Sequence, residues 1–195
     1  MDESTPCQHC QEAFNALRAR IEELEMLLEA EQLRSGTDAL TELPNRGSYD
    51  RAMVREYAHA MRTGSPLVVA VLDLDRFKQV NDTHGHAIGD HVLQAFAKIL
   101  KEERRASDFV GRVGGEEFVI ILPGTGIDGA QTFLERLRKS VADSLHVPVS
   151  NEILCVTVSI GVAQLQNGED IATFFRRADK ALYRAKNEGR NRVSK

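Results

Sequence analysis

The chain has few cysteines, no long apolar run and no excess of positive charge. No apolar run in its 195 residues approaches the roughly 20 that span a bilayer, and the polar, charged N-terminus lacks the pattern of a signal peptide. Three cysteines are too few for a disulfide scaffold, so we expect a protein of the reducing cytoplasm. A net charge of -4 and a pI near 5.9 argue against a nucleic-acid-binding protein.

Hydrophobic residues make up 42% of the chain, which is enough for one domain with a sizeable core and an appendage. The appendage is the N-terminal segment 1–35, where apolar residues recur with the alternating three- and four-residue spacing of a heptad. They are Cys7, Cys10, Phe14, Leu17, Ile21, Leu24 and Leu28. An isolated helix cannot bury such a stripe by itself, so the pattern predicts a dimeric parallel coiled coil. A helix folded back on its own domain is the alternative.

Two cysteines lie on this apolar stripe. Cys7 and Cys10 would each approach the equivalent residue of the partner helix in a parallel dimer. As small apolar side chains they simply fill seam positions, which is the plainest interpretation. The other possibilities are an interchain disulfide and a zinc ion held by four thiolates.

Residues 36–195 show the patterns of a mixed domain. Asn45 is placed to cap a helix that runs through about Met61, and the apolar run 67–72 predicts a strand buried on both faces. Further along we predict a polar loop over 81–90, then a helix whose cap could be Asp90, then a hairpin spanning 110–122. A helix, one strand over 153–163 and a last helix ending at Gly189 complete the chain. The order α–β–α–β–β–α–β–α predicts an α+β fold with a central mixed sheet flanked by helices.

The predicted hairpin carries two glutamates at its tip. Gly114 and Gly115 favour a turn of the primed type, because glycine tolerates positive φ. Glu116 and Glu117 then lie side by side, and their repulsion is easiest to explain if a cation binds there. A solvated hairpin with a harmless acidic tip is the alternative.

Further candidate residues follow the first strand and the last helix. Asp73 ends the strand and should lie near Glu116, giving an all-oxygen site that suits Mg²⁺ or Mn²⁺ better than zinc. Two side chains have the groups that recognise guanine, and two basic residues spaced i, i+4 near the end of the last helix could bind a triphosphate. These are Asn81, Asp90, Lys186 and Arg190. His84 and His86 have no spaced partner that would support zinc, so we expect hydrogen-bonding or surface roles for them.

Taken together, these motifs make the chain resemble the GGDEF family of diguanylate cyclases over residues 38–193. The matching stretches are DALTELPNR at 38–46, with Glu42 where glycine is common; DLDRFKQVND at 73–82, with Gly85-His86 and Gly89-Asp90; GGEEF at 114–118; TVSIGV at 157–162; and RADKALYRAK at 177–186, with GRNR at 189–192. The signature differs from GGDEF only in Glu116, an accepted active form.

The resemblance implies an enzyme that condenses two GTP molecules into cyclic di-GMP and releases two pyrophosphates. It implies two Mg²⁺ or Mn²⁺ ions per half-site, bound by Asp73, the Leu74 carbonyl, Glu116 and Glu117, the last of which could instead help deprotonate the attacking hydroxyl. The substrate-binding residues implied are Phe77, Lys78, Asn81, Asp90, Lys186 and Arg190. Each domain holds one GTP, so two domains must face each other as a homodimer.

The resemblance also implies regulation. Arg105 and Asp108 form an RxxD pattern five residues before Gly114, which is the placement of the family's product-inhibition site. A shift in the heptad seam between Leu28 and Leu33 suggests a register switch in the coiled coil. An upstream sensor domain would supply the signal. The alternatives are a catalytically silent receptor for GTP or cyclic di-GMP, and an interaction protein that acts through its coiled coil.

Overall fold

A computed structural model of the protein describes residues 14–24, 36–149 and 152–195. The helices are α1 (residues 14–24), α2 (Arg46–Thr63), α3 (Phe77–His84), α4 (His86–Glu103), α5 (Ile127–Ser144) and α6 (Ile171–Asn187). The strands are β1 (Leu67–Leu74), β2 (Phe109–Arg112), β3 (Glu117–Pro123), β4 (His146–Val149), β5 (Glu152–Cys155), β6 (Val158–Gln164) and β7 (Val193–Ser194). None of the described helices is long and apolar enough to cross a membrane.

The main sheet has five strands in the order β2-β3-β1-β6-β7, with β1 at its centre. β1 runs antiparallel to both β3 and β6, whereas β7 pairs with β6 in parallel. β4 and β5 form a separate two-stranded sheet. All eight residues of β1 are buried, as its β-branched apolar sequence predicts. The predicted α+β architecture with a mixed central sheet is therefore confirmed.

Alternate residues of β1 face opposite layers of helices. Val68, Ala70 and Leu72 lie in the core formed with α3, α4 and α5. The odd-numbered residues Val69 and Val71 instead pack with α2 and α6. This second side of the sheet, called here the α6 face, also receives the odd-numbered residues of β3. The same alternation decides which polar residues meet at the end of the strands.

Two local predictions were wrong. The segment 81–90 is not a loop: residues 81–84 complete α3 and residues 86–90 begin α4, with Gly85 between them at φ 81°. Asp90 consequently lies inside α4 and does not cap it. The single strand predicted over 153–163 is divided into β5 and β6, because Val156 turns into the core and the Thr157 hydroxyl donates to Asp75. β7 was missed, since a two-residue strand gives almost no periodic signal.

The capping prediction for α2 is confirmed. The Asn45 side chain accepts a hydrogen bond from Ser48 N at 3.1 Å, and Gly64 closes the other end at φ 70°. Residue 42 also has a left-handed backbone, with φ 56°. This conformation explains why glycine is common where this chain has Glu42.

The described part of α1 is helical and every one of its residues is exposed. Its apolar stripe of Phe14, Leu17, Ile21 and Leu24 is 48–64% exposed, so these side chains are not packed on the domain. The helix is confirmed there, whereas the coiled-coil dimer stays a prediction. Cys7, Cys10, Leu28 and Leu33 lie outside the described residues.

Candidate active site

The acidic residues meet where β1 and β3 lie side by side. Asp73 is the direct cross-strand neighbour of Glu117 in the antiparallel ladder. Both residues have the odd parity of the α6 face, so their side chains share that side of the sheet. Asp73 is 4% exposed, whereas Glu117 is exposed and Glu116 is half-buried in the turn before β3. The prediction that the first strand lies beside the hairpin is confirmed.

α6 brings a lysine to this point because it crosses directly over Gly161. A Cβ at residue 161 would lie 2.1 Å from both Ala178 O and Leu182 N, so only glycine lets the helix approach so closely. One turn further along α6, Lys186 Nζ lies 2.7 Å from Asp73 Oδ2. The close packing of helix on strand therefore places a positive charge at the end of β1.

The pKa values show a cluster of partly compensated negative charge. Burial raises the pKa of Asp73; the ion pair with Lys186 opposes this, and the nearby carboxylate of Glu117 adds to it. Burial also raises the pKa of Glu116, and repulsion from Asp73 raises it further. Both groups would be relieved by additional positive charge, which is the electrostatic property expected of a cation site.

The donor atoms fit a hard divalent ion in kind. Asp73, Glu116, Glu117 and the Leu74 carbonyl offer only oxygen, and Mg²⁺ often binds to one or two carboxylates together with substrate phosphates. Among the described residues, however, no three acidic, histidine or cysteine side chains lie close enough together to form a ready metal site. Lys186 forms an ion pair with Asp73 instead. The site therefore offers donor atoms that suit a divalent ion, but its side chains do not form a complete set of ligands.

The turn before β3 differs from the predicted primed type. Neither Gly114 nor Gly115 has a left-handed φ, and the turn is closed by Val113 N donating to Glu117 O at 2.9 Å. Glycine at residue 114 leaves space for the observed position of Glu117, because a Cβ there would lie 2.6 Å from Glu117 Oε2. The first glycine thus leaves room for the Glu117 carboxylate to fold back over the turn.

Arg112 fixes this turn, a role that the sequence did not reveal. Its Nε donates to Gly114 O at 3.2 Å and its Nη2 to Gly115 O at 2.7 Å. Its Nη1 contacts both oxygens of Asp38, at 3.0 and 3.2 Å. Asp38 also accepts from Thr41, and together these bonds hold the pKa of Asp38 below its usual value despite burial. The acidic turn is therefore braced against the loop 36–45 that leads into α2.

The two candidate guanine-recognition residues come from adjacent helices. Asn81 of α3 packs on Gly89 of α4, where a Cβ would lie only 1.9 Å from Asn81 Oδ1. Gly89 immediately precedes Asp90, which is exposed. Asn81 Oδ1 is buried and has no hydrogen-bond partner in the described part of the chain. An orphaned buried polar atom fits a site that takes a polar ligand.

The remaining candidates are placed less simply. Phe77 is buried in the core, so any substrate contact would come from its backbone, whereas Lys78 is exposed. Arg190 is not on the last helix as predicted, since α6 ends at Asn187 and Arg190 lies in the turn beyond it with φ 64°. Within the described residues, the Arg190 guanidinium has no hydrogen bond or ion pair.

The RxxD pattern forms a compact turn after α4. Both oxygens of buried Asp108 accept hydrogen bonds within it, from Arg105 N at 3.0 Å and from Ser107 Oγ at 3.2 Å. The Arg105 side chain is exposed. Asp108 thus holds the turn and Arg105 is presented to solvent.

Comparison with known proteins shows what this arrangement resembles. A family model described as "Diguanylate cyclase, GGDEF domain" matches residues 35–192. Diguanylate cyclase DgcP of Pseudomonas aeruginosa is 39% identical over 196 residues, which are 95% of this chain and 29% of that protein. Diguanylate cyclase DgcM of Escherichia coli is 44% identical over 156 residues, 80% of this chain and 37% of that protein. The chain therefore spans about a third of the length of these curated relatives.

Two solved structures have a similar fold. The coiled coil and GGDEF domain of DgcB from Caulobacter crescentus, crystallised with c-di-GMP, superimposes with a TM-score of 0.78 at 34% identity, covering 96% of this chain and 99% of that one. An active GGEEF domain of a diguanylate cyclase from Vibrio cholerae gives a TM-score of 0.71 at 38% identity, covering 77% and 95%.

Proposed function

Because the chain belongs to the GGDEF family of diguanylate cyclases, we propose that it condenses two GTP molecules into cyclic di-GMP with release of two pyrophosphates. The observation that carries this proposal is the meeting of Asp73, Glu117 and Lys186 at one end of the sheet. Additional positive charge would stabilise the carboxylates at this point, and the neighbouring lysine can bind phosphate. Relatives of this chain carry the name diguanylate cyclase.

Mg²⁺ or Mn²⁺, two ions per half-site, would be held by Asp73, the Leu74 carbonyl, Glu116 and Glu117. Such ions lower the pKa of an attacking hydroxyl and neutralise charge on the phosphate that is attacked. Glu117 is exposed and can either ligate an ion or accept the proton of the 3′-hydroxyl. Arg112 keeps the turn that carries both glutamates in position.

The basic residues would bind the triphosphate, and two polar side chains would recognise the base. Lys186 lies at Asp73, and the Arg190 guanidinium has no partner within the described residues, so both can bind phosphate oxygens. Exposed Lys78 is a third candidate. Asn81 would face the carbonyl side of guanine while Asp90 accepts from its ring N–H and amino group.

A homodimer would bring the second GTP. Each domain supplies half a reaction centre, and the exposed apolar stripe of α1 is suited to pairing with the same stripe of a second copy. A coiled coil then raises the effective concentration of the partner domain. The similarity to the coiled coil and GGDEF domain of DgcB supports this arrangement.

Product inhibition would act through Arg105, whose exposed guanidinium can bind a phosphate or stack on guanine. Asp108 is buried, and both of its carboxylate oxygens accept hydrogen bonds within the turn. Its main role is therefore to hold the turn that presents Arg105. If Arg105→Ala leaves product affinity and product inhibition unchanged, this part of the proposal is wrong.

Incubation with GTP and Mg²⁺, with products separated by chromatography, tests the catalytic proposal. We expect cyclic di-GMP and pyrophosphate from the unaltered chain and neither from Glu117→Gln. A chain that binds GTP tightly but forms no product would instead be a receptor, the main alternative. A chain that dimerises and binds no nucleotide would be an interaction protein.

A further inference from the structure

Asp75 is a buried carboxylate to which the proposed function gives no part. It is 7% exposed and lies just after β1, two residues beyond Asp73. Its Oδ1 accepts from Ser159 Oγ at 2.6 Å, and its Oδ2 accepts from Thr157 Oγ1 at 2.6 Å and from Asn191 N at 3.0 Å. One side chain therefore joins the end of β1, the start of β6 and the turn after α6.

That turn has an unfavourable backbone. Arg190 and Asn191 have φ values of 64° and 45°, two consecutive residues in the left-handed region. Arg190 N donates to Ala185 O at 2.9 Å, and Arg192 O accepts from Ile160 N at 2.9 Å. The hydrogen bond from Asn191 N to Asp75 lies between these two main-chain hydrogen bonds. A strained backbone conformation persists only when surrounding contacts hold it in place, and the hydrogen bond to Asp75 is one of these contacts.

The strained positions gather around one cavity. A cavity of about 400 Å³ is lined by Asp75, Arg76, Arg190 and Asn191, among others. The non-glycine residues with left-handed φ in the described ranges 14–24, 36–149 and 152–195 are four, and three of them line this cavity: Arg76, Arg190 and Asn191. Backbone strain concentrated in this way is typical of functional sites.

We propose that Asp75 is a positioning residue for Arg190. It fixes the backbone of the Arg190–Asn191 turn, so that the guanidinium is held ready for the terminal phosphates of the nucleotide. This inference rests on the phosphate-binding role given to Arg190 in the proposed function. The two aspartates at the end of β1 then have different roles: Asp73 contacts Lys186 directly, and Asp75, just beyond the strand, positions Arg190 through the main chain of the turn.

The test compares affinities for 3′-deoxy-GTP, which cannot be cyclised, and for GMP, which lacks the terminal phosphates. We expect Asp75→Ala to lower the preference for the triphosphate at least tenfold while leaving GMP affinity within about twofold. Arg190→Ala should do the same, and the double variant should be no worse than Arg190→Ala. In Asp75→Asn the remaining carbonyl oxygen can still accept from Asn191 N, so most of the preference should be retained.

Ser159→Ala is the matched control, because it removes a hydrogen bond to the other oxygen of Asp75 and leaves Asn191 N untouched. We expect its triphosphate preference to stay within about twofold of the unaltered chain. If circular dichroism shows that Asp75→Ala does not fold, Asp75→Ser decides, since its side chain is polar but too short to span to Asn191 N.

Three results would overturn the inference. They are an equal loss of affinity for both nucleotides, additive effects of the Asp75 and Arg190 variants, and an unaltered chain with no preference for the triphosphate. Product formation is measured separately. A chain that makes no cyclic di-GMP but shows the Asp75-dependent preference would refute the proposed function and support the role of Asp75.

Discussion

Gly89→Ala tests the packing of α3 on α4 and the role of Asn81 in a single substitution. In the interior of an exposed helix, exchanging glycine for alanine stabilises by about 0.5–1 kcal/mol. Here the new Cβ would lie 1.9 Å from Asn81 Oδ1, 3.0 Å from Asn81 Cγ and 3.2 Å from Phe77 Cζ. A carbon–oxygen contact needs roughly 3.3 Å. Asn81 must therefore move by about 1 Å or more, or α3 and α4 must separate.

Two magnitudes follow from this displacement. Overpacking costs about 1–3 kcal/mol, which outweighs the gain in helix propensity, so we expect net destabilisation of about 1 kcal/mol. Losing the proposed guanine contact of Asn81 should cost about 1–3 kcal/mol of binding energy, the penalty for a buried polar group without its partner. The KM for GTP should then rise about tenfold or more, and the preference for GTP over ATP should fall.

Thermal unfolding and initial rates with GTP and ATP measure these effects. The matched control is Gly129→Ala in the first turn of α5, where the new Cβ meets only Thr125 Cγ2, at 3.4 Å. That variant should be as stable as the unaltered chain or more so, with unchanged KM. If Gly89→Ala behaves like Gly129→Ala in both measurements, Asn81 does not lie on Gly89 or does not recognise the base.

Other substitutions test the brace, the loop and the charge cluster. Arg112→Lys should lower turnover more than tenfold with little change in unfolding temperature, because lysine cannot bond two carbonyls and Asp38 at once; normal turnover would show that the brace is dispensable. Glu42→Gly should raise the free energy of unfolding by about 0.5–1 kcal/mol, measured by urea denaturation, since φ is 56° there. A decrease in this free energy would mean that the weak contact of Glu42 with Lys101 contributes more than the backbone strain. Glu116→Gln should abolish turnover yet raise the unfolding temperature by roughly 2 °C at pH 7. A raised pKa means that the folded state holds the Glu116 proton more tightly than the unfolded state, so this glutamate reduces stability as pH rises above its usual carboxyl range. The gain should therefore vanish near pH 4, and a pH-independent gain would contradict the charge-cluster explanation.

The features predicted correctly from the sequence are those with local causes. The apolar run of β1 and the Asn45 cap depend on a few neighbouring residues, so pattern and propensity suffice. The position of Asp73 near the end of β1 follows from the same apolar run. The helicity of 81–90 was missed because glycine, asparagine and histidine there suggested a loop, whereas packing of α3 on α4 decides the conformation.

The unpredicted features depend on contacts between residues far apart in sequence. The bond from Asn191 N to Asp75 spans 116 positions, and that from Arg112 to Asp38 spans 74. No periodicity records such pairs, because the packing of the whole sheet and its helices brings them together. The turn at Gly114 shows the same limit: glycine was recognised as necessary, but the reason is the nearby Glu117 carboxylate and not a positive φ.

The strict alternation of β1 has one more consequence, for the accuracy of folding. Sliding β1 by a single residue would turn Asp73 away from Lys186 and into the layer that contains Phe96 and Phe118. An unpaired carboxylate among those aromatic rings is costly, so misaligned sheets are penalised by the same side chain that the finished enzyme would use. Replacing Asp73 with an apolar residue should abolish the activity and also remove the free-energy penalty on misaligned sheets. The chain could then adopt more than one strand alignment.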